Sequence, residues 1–176
     1  MKKIHSLAYL VLTLALLVAW PGIGRAQGEF HAVTGKEFNS AMPKDFYLEG
    51  NAIPTEKRNA AMLKNASGAR VLFALIDTAG YSSQIKQKYI GMLISEADIS
   101  VCSIHVGIGS YGFGLDRPAA MSDQDATFNL YNQAGEKLGE CASKKDTAIP
   151  QPKPLSVEVA NGAAKLYLGR YWVDVK

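Results

Sequence analysis

The fold class is decided by two alternating segments, Ala126-Thr-Phe-Asn-Leu-Tyr131 and Lys137-Leu-Gly-Glu-Cys-Ala-Ser143, which flank the turn residues Asn132-Gln-Ala-Gly135. Apolar and polar side chains alternate in both segments, as they do in a strand with one face in the core. A short connection that contains glycine is typical of a β-hairpin. This stretch therefore predicts two paired antiparallel strands.

The chain beyond this hairpin follows the same pattern. Leu155-Ser-Val-Glu-Val159 alternates strictly, Ala160-Asn161-Gly162 has the composition of a turn, and Lys165–Lys176 is predicted to return as one long closing strand. Tyr171 and Trp172 would then point to opposite faces of that closing strand, because successive side chains alternate.

An uninterrupted apolar run, Arg70-Val-Leu-Phe-Ala-Leu-Ile-Asp77, precedes the hairpin and is typical of a strand that is buried on both faces. Asn65-Ala-Ser-Gly68 predicts a turn ahead of it, so that Arg58–Lys64 would be its hairpin partner. The alternative is a short helix over Thr55–Asn65 with Thr55 as its N-cap.

Three further strands are predicted at Tyr89–Ile94, Ile99–Ile104 and Tyr111–Leu115. Ser82–Ile94 stays ambiguous, since its apolar residues also fit a helical stripe, and one short helix is the alternative there. Eight or nine short strands at regular intervals predict an all-β fold. An antiparallel β-sandwich is expected, with a closed β-barrel as the alternative.

The first 26 residues have the parts of a secretory signal peptide. Lys2 and Lys3 provide the charged start, Leu7–Ala19 is apolar but too short to span a bilayer, and Gly24-Arg25-Ala26 supplies small residues for cleavage. We therefore expect a leader over residues 1–26 and a single β domain over residues 27–176. The mature protein would be periplasmic or secreted and would not span a membrane.

Removal of this leader changes the charge of the chain. The full sequence has 19 Lys and Arg against 16 Asp and Glu. Lys2, Lys3 and Arg25 lie in the leader, which has no acid, so the mature chain keeps 16 of each and a formal net charge of zero. Nucleic-acid binding requires a concentrated basic surface. We therefore expect no nucleic-acid partner.

The two cysteines, Cys102 and Cys141, are predicted to form a disulfide, because an even count in an exported chain favours pairing. The bridge would close a loop of about 40 residues and stabilise the fold by roughly 3 to 4 kcal/mol.

Cys102-Ser-Ile-His105 also resembles the copper-binding loop of cupredoxins, in which a thiolate and an imidazole hold the metal. That resemblance implies copper binding or electron transfer by Cys102 and His105, with His31 as the remaining mature histidine. The expected axial methionine is absent, and Gly109 and Ser110 stand in its neighbourhood. We therefore expect no cofactor, with copper as the alternative.

Other motifs give little support to catalysis. Gly107-Ile-Gly-Ser-Tyr-Gly112 spells the dinucleotide-binding fingerprint, but Gly114 and Pro118 prevent the helix that this chemistry needs. These glycines are instead expected to lie in a strand that lacks side chains at several positions, so that a ring or a backbone can approach closely there. No nucleophile motif accompanies the two mature histidines, so an enzyme is not expected, and an uncharacterised hydrolase ranks third among the functions.

Five residues are predicted to form a binding surface: Tyr111, Phe113, Arg117, Tyr171 and Trp172. Tyr111 and Phe113 would share one face of a strand, with Arg117 as a cation at the rim. The alternative for the aromatic residues is simple core packing. The sequence thus predicts a non-catalytic binding or interaction module of the cell envelope, whose partner would be an envelope protein, a glycan or a small ligand.

Overall fold

The computed structural model describes residues 29–119 and 124–176, so that the predicted leader over residues 1–26 lies outside the described residues. Within those ranges neither helix is long or apolar enough to cross a membrane. In chain order the elements are β1 His31–Val33, α1 Gly35–Ala41, β2 Asp45–Leu48, β3 Asn51–Lys64, β4 Arg70–Ile76, α2 Ser83–Lys88, β5 Gly91–Ser95, β6 Ile99–Val101, β7 Ile104–Val106, β8 Gly109–Asp116, β9 Ala126–Asn132, β10 Lys137–Lys145, β11 Ser156–Ala160, β12 Ala163–Leu168 and β13 Tyr171–Val175.

These strands form one antiparallel sheet that is nearly closed as a barrel. The sheet runs in the order β1-β3-β4-β5-β8-β9-β10-β13-β12-β11, and β11 then lies against β1 and β3. The Phe30 N–H donates to the Gly162 carbonyl at 3.0 Å and joins the two ends of the sheet. The all-β prediction is confirmed, and the barrel that the sequence left as the alternative is the architecture formed.

The barrel encloses one apolar core and carries a second on its outer face. Phe73, Leu93, Phe113, Phe128 and other side chains from alternate strand positions fill the interior. On the outside, α1, β2 and α2 cover β3, β4 and β5 with a separate buried cluster. Strand β4 is therefore buried on both faces, as its uninterrupted apolar run predicts.

Two of the predicted strands are each split by a turn. Lys165–Lys176 forms β12 and β13 with Gly169 at φ +68° between them, and Ile99–Ile104 falls in β6 and β7 with Cys102 at φ +55°. Left-handed backbone is unfavourable for most residues, so the Cys102 turn has little local signal. The described strands number thirteen rather than eight or nine, since β1 and β2 were also missed along with α1.

The two ambiguous segments are resolved. β3 pairs with β4, so the hairpin interpretation of Arg58–Lys64 is confirmed over the helix, although residues 57–59 bulge out of the ladder. Ser82–Ile94 contains both elements, because α2 begins there and β5 follows it. Ser82 caps α2, since its hydroxyl accepts a hydrogen bond from the Ile85 N–H at 3.3 Å.

The glycines of β8 allow the outer layer to approach closely, as the sequence predicts. A Cβ atom on Gly112 would lie 2.7 Å from the Tyr89 ring, and one on Gly114 would lie 2.3 Å from the Lys88 carbonyl oxygen. Both distances are shorter than van der Waals contact, so any side chain at these positions would displace Lys88 at the end of α2 or Tyr89 directly after it.

A partly buried polar cluster fastens this outer layer to the barrel. The Glu49 carboxylate accepts hydrogen bonds from Lys88 Nζ at 2.7 Å and from the Tyr89 hydroxyl at 2.6 Å. Lys88 Nζ also donates to the Gly135 carbonyl and lies 5.0 Å from the centre of the Tyr131 ring. The cluster thus joins the β2–β3 turn, the end of α2 and the β9–β10 turn.

Candidate functional site

A cavity of about 340 Å³ opens at one end of the barrel, and we call it the barrel-end cavity. Its lining residues are Leu75, Ile90, Leu115, Arg117 and Pro154. Leu75 and Leu115 are the last apolar side chains that β4 and β8 direct inward, and Ile90 immediately precedes β5. The cavity therefore forms where the strands end and the interior packing opens towards solvent.

Arg117 lies at the rim of this cavity, directly after the end of β8. A Cβ atom on Gly169 would lie 3.8 Å from Arg117 Nη2, which places the guanidinium beside the β12–β13 turn. Among the described residues Arg117 makes no hydrogen bond or ion pair. By contrast, the neighbouring guanidinium of Arg170 donates to the Ile149 and Pro150 carbonyls. Arg117 therefore lies at the rim of an apolar cavity, and its role in binding stays a prediction.

The two predicted residues of β13 divide between the faces of that strand. Tyr171 is half-buried and begins β13 at the same end of the barrel as Arg117, opposite Leu168 in the ladder. Trp172 points to the outer face, where Lys165 Nζ lies 4.0 Å and Lys144 Nζ lies 5.0 Å from its ring centre. The two side chains therefore lie on opposite faces of β13, although both residues are near the end of the barrel that holds the cavity.

Tyr111 and Phe113 share the inward face of β8, as their spacing predicts. Phe113 is fully buried and stacks on Phe128 with 5.6 Å between ring centres. Tyr111 lies towards the opposite end of the barrel, where its hydroxyl donates to the Gly107 carbonyl at 3.1 Å. Neither residue lines the barrel-end cavity.

Four lining residues were not found from the sequence: Leu75, Ile90, Leu115 and Pro154. Leu75 and Leu115 belong to strands that are predicted correctly, yet they come together only because β5 lies between β4 and β8 in the sheet. A local pattern shows which face a side chain takes, but it does not show which strands are neighbours.

A second cavity of about 330 Å³ lies at the seam between β11 and the strands β1 and β3, and we call it the seam cavity. It forms beside the short strand β1 and is lined by Phe38 of α1, Ala60 and Ala61 of β3, and Val157 of β11, among others. Lys153 is the cation in its lining.

The predicted disulfide between Cys102 and Cys141 is formed, with the sulfur atoms 2.21 Å apart. It connects the β6–β7 turn to β10. His105 is exposed, and its Nε2 atom lies 3.9 Å from the Asp98 carboxylate. In the described ranges no three His, Cys, Asp or Glu side chains converge as a metal site. The copper alternative stays a prediction that concerns the reduced protein, because its chemistry needs a thiolate at Cys102.

The barrel-end cavity combines an apolar wall with one cation at its rim. Its lining, over the part of the chain that the structure describes, consists of three aliphatic side chains, a proline and one guanidinium. Comparison of the chain with protein-family models, with curated proteins and with solved structures finds no match. The function is therefore inferred from the chemistry of the cavity.

Proposed function

We propose that this protein, after loss of its leader, is a non-catalytic binding module of the cell envelope, periplasmic or secreted, that takes a small apolar ligand into the barrel-end cavity. The charged and apolar leader sequence supports export. The disulfide agrees with an oxidising compartment, where such bonds persist.

The barrel-end cavity is the observation that carries this proposal. Its volume of about 340 Å³ lies in the range of small-molecule sites. Of the five described lining residues, three have half-buried aliphatic side chains. Removal of their surface from water by a ligand contributes roughly 25 cal/mol for each Å² of apolar area. The antiparallel strands that carry Leu75 and Leu115 provide a rigid frame, so little ordering would oppose binding.

The proposal predicts that the protein binds the uncharged fluorescent probe N-phenylnaphthylamine and that filling the cavity abolishes this binding. Leu115→Trp adds side-chain volume inside the cavity and should weaken probe binding by about tenfold or more, equivalent to roughly 1.4 kcal/mol. Fluorescence titration of the purified mature protein measures both affinities. Pro154→Trp fills the rim from an exposed position and provides a second variant if Leu115→Trp lowers the melting temperature.

Ala32→Phe is the matched control, because Ala32 is an exposed residue that lines the seam cavity instead. This variant should bind the probe as the wild type does. If Ala32→Phe lost probe binding and Leu115→Trp kept it, the probe would bind in the seam cavity, which would contradict the proposal. Failure of the wild-type protein to bind any apolar probe would refute the binding function at this end of the barrel.

A further inference from the structure

The barrel-end cavity has two chemically distinct parts, an aliphatic interior and a guanidinium at the rim. From them we infer that its ligand is an amphipathic carboxylic acid, with the apolar chain inside the barrel and the carboxylate on Arg117. This inference rests on the proposed function, since it names the class of ligand that the same cavity takes.

The inner wall determines the chemistry of the buried part of the ligand. Leu75, Ile90 and Leu115 offer no side-chain hydrogen-bond donor or acceptor. A polar group placed against them would lose its water without a replacement, at a cost of roughly 1 to 3 kcal/mol. An unbranched hydrocarbon chain meets no such penalty. The lining residues that the structure describes include no aromatic ring, so stacking against them does not favour a planar ligand over an aliphatic one.

The rim determines the chemistry of the head group. Arg117 carries five N–H donors in one plane, and none of them has a partner among the described residues. One guanidinium matches one carboxylate, because two parallel N–H···O hydrogen bonds form between the two planar groups. Among the described lining residues Arg117 is the sole cation, whereas phosphate sites commonly combine several donors. A carboxylate is therefore the better fit.

Three described acids near this end of the barrel have partners of their own. Asp116 accepts a hydrogen bond from Asn129 Nδ2 at 2.9 Å on the outer face of the sheet. Asp125 accepts from the Lys145 N–H at 3.2 Å, and Asp146 accepts from the Ala148 N–H at 2.9 Å. These contacts leave the carboxylates in turns and on the outer surface rather than on the Arg117 guanidinium.

A matched pair of ligands tests the inference. Decanoate and decanol have the same chain and differ at the head group, so their ratio of affinities isolates the contribution of the carboxylate. We expect wild-type protein to bind decanoate about fivefold or more tightly, as measured by calorimetric titration below the micelle concentration. The factor is modest because Arg117 is exposed and ion pairs at the surface are screened.

Arg117→Gln should remove this preference, so that both ligands bind with the affinity of decanol, and Arg117→Lys should restore part of it. Lys36→Gln is the control, because Lys36 is an exposed cation of α1 that does not line the cavity. It should retain the wild-type ratio.

The outcomes separate the two proposals. Equal affinity of wild-type protein for decanoate and decanol, or a preference that Arg117→Gln leaves intact, overturns the carboxylate inference while the apolar site stands. Tighter binding of decyl phosphate than of decanoate would also overturn it in favour of a phosphate head group. If neither decanol nor decanoate binds and N-phenylnaphthylamine does not bind, the proposed function itself fails.

Discussion

Arg117 and Arg170 lie near the same end of the barrel, yet their guanidinium groups have different surroundings. Arg170 donates to the carbonyls of Ile149 and Pro150 and so fastens the segment that precedes β11. Arg117 has no partner of this kind among the described residues. The two arginines thus have the same chemistry but different surroundings, and Arg117 is the one that we propose contacts the ligand.

The aromatic residues Phe113 and Tyr111 share one face of β8 but are expected to differ in how much they stabilise the fold. Phe113 is fully buried between the two ends of the barrel, so Phe113→Ala should lower the free energy of unfolding by about 3 to 5 kcal/mol. Tyr111→Phe removes only the hydroxyl that donates to the Gly107 carbonyl and should cost about 1 kcal/mol. Urea unfolding of both variants measures the difference.

Ligand titration of the same two variants shows whether either residue also acts in binding. Phe113→Ala with wild-type stability and no probe binding would contradict the structural role and support the surface that the sequence predicts. Tyr111→Phe keeps the ring and serves as the control for loss of the polar contact alone.

At the level of elements, the Glu49 cluster determines how firmly the outer layer is attached. Hydrogen bonds from Lys88 and from the Tyr89 hydroxyl lower the pKa of the Glu49 carboxyl. Burial and the neighbouring carboxylate raise the pKa of Tyr89 in turn. A lowered carboxyl pKa means that the unfolded chain binds the proton more readily than the folded one. The cluster therefore stabilises the fold at pH values above the pKa of Glu in the unfolded chain, which is about 4.3. That stabilisation is lost as the pH falls below this value towards the folded pKa.

Glu49→Gln should therefore cost about 1 to 3 kcal/mol at neutral pH, and the cost should shrink in acid as the wild type loses the same interaction. Unfolding free energies measured from neutral pH down to below pH 4 give the difference curve. Asp45→Asn is the control, because Asp45 is an exposed carboxyl on β2 outside the cluster. A Glu49→Gln deficit that is constant with pH would contradict the electrostatic origin of the effect.

The elements that sequence patterns predict are those with local signals. The β9–β10 and β11–β12 hairpins follow from alternation and from turn residues, and Asn161 and Gly162 do adopt positive φ values. The outer layer is harder to predict, because α1 has seven residues of which none is buried, and β2 is a four-residue strand. The barrel-end cavity was missed for a different reason, since its walls depend on the order of strands in the sheet.

On the scale of the whole molecule, the barrel depends on a covalent link as well as on packing. β10 and β13 pair only near Lys144 and Lys145, and further along β13 the paired neighbour is β6. The β6–β7 hairpin thus completes the wall, and Ile104 of β7 packs where Gly139 of β10 has no side chain. The disulfide between Cys102 and Cys141 holds this hairpin against β10.

Export and the disulfide lead to one prediction on the complete protein. Intact-mass measurement of protein recovered outside the cytoplasm should show a chain that lacks Met1 to about Ala26 and that gains two hydrogen atoms on reduction. Reduction should lower the free energy of unfolding by roughly 3 to 4 kcal/mol, because the unfolded chain recovers the freedom of the closed loop. A Cys102→Ser and Cys141→Ser double variant is the control, since reducing agent should leave its stability unchanged. Retention of all 176 residues without membrane attachment would contradict the predicted cleavage of the leader. Two reactive thiols together with stoichiometric copper would instead support the copper-binding alternative at Cys102 and His105.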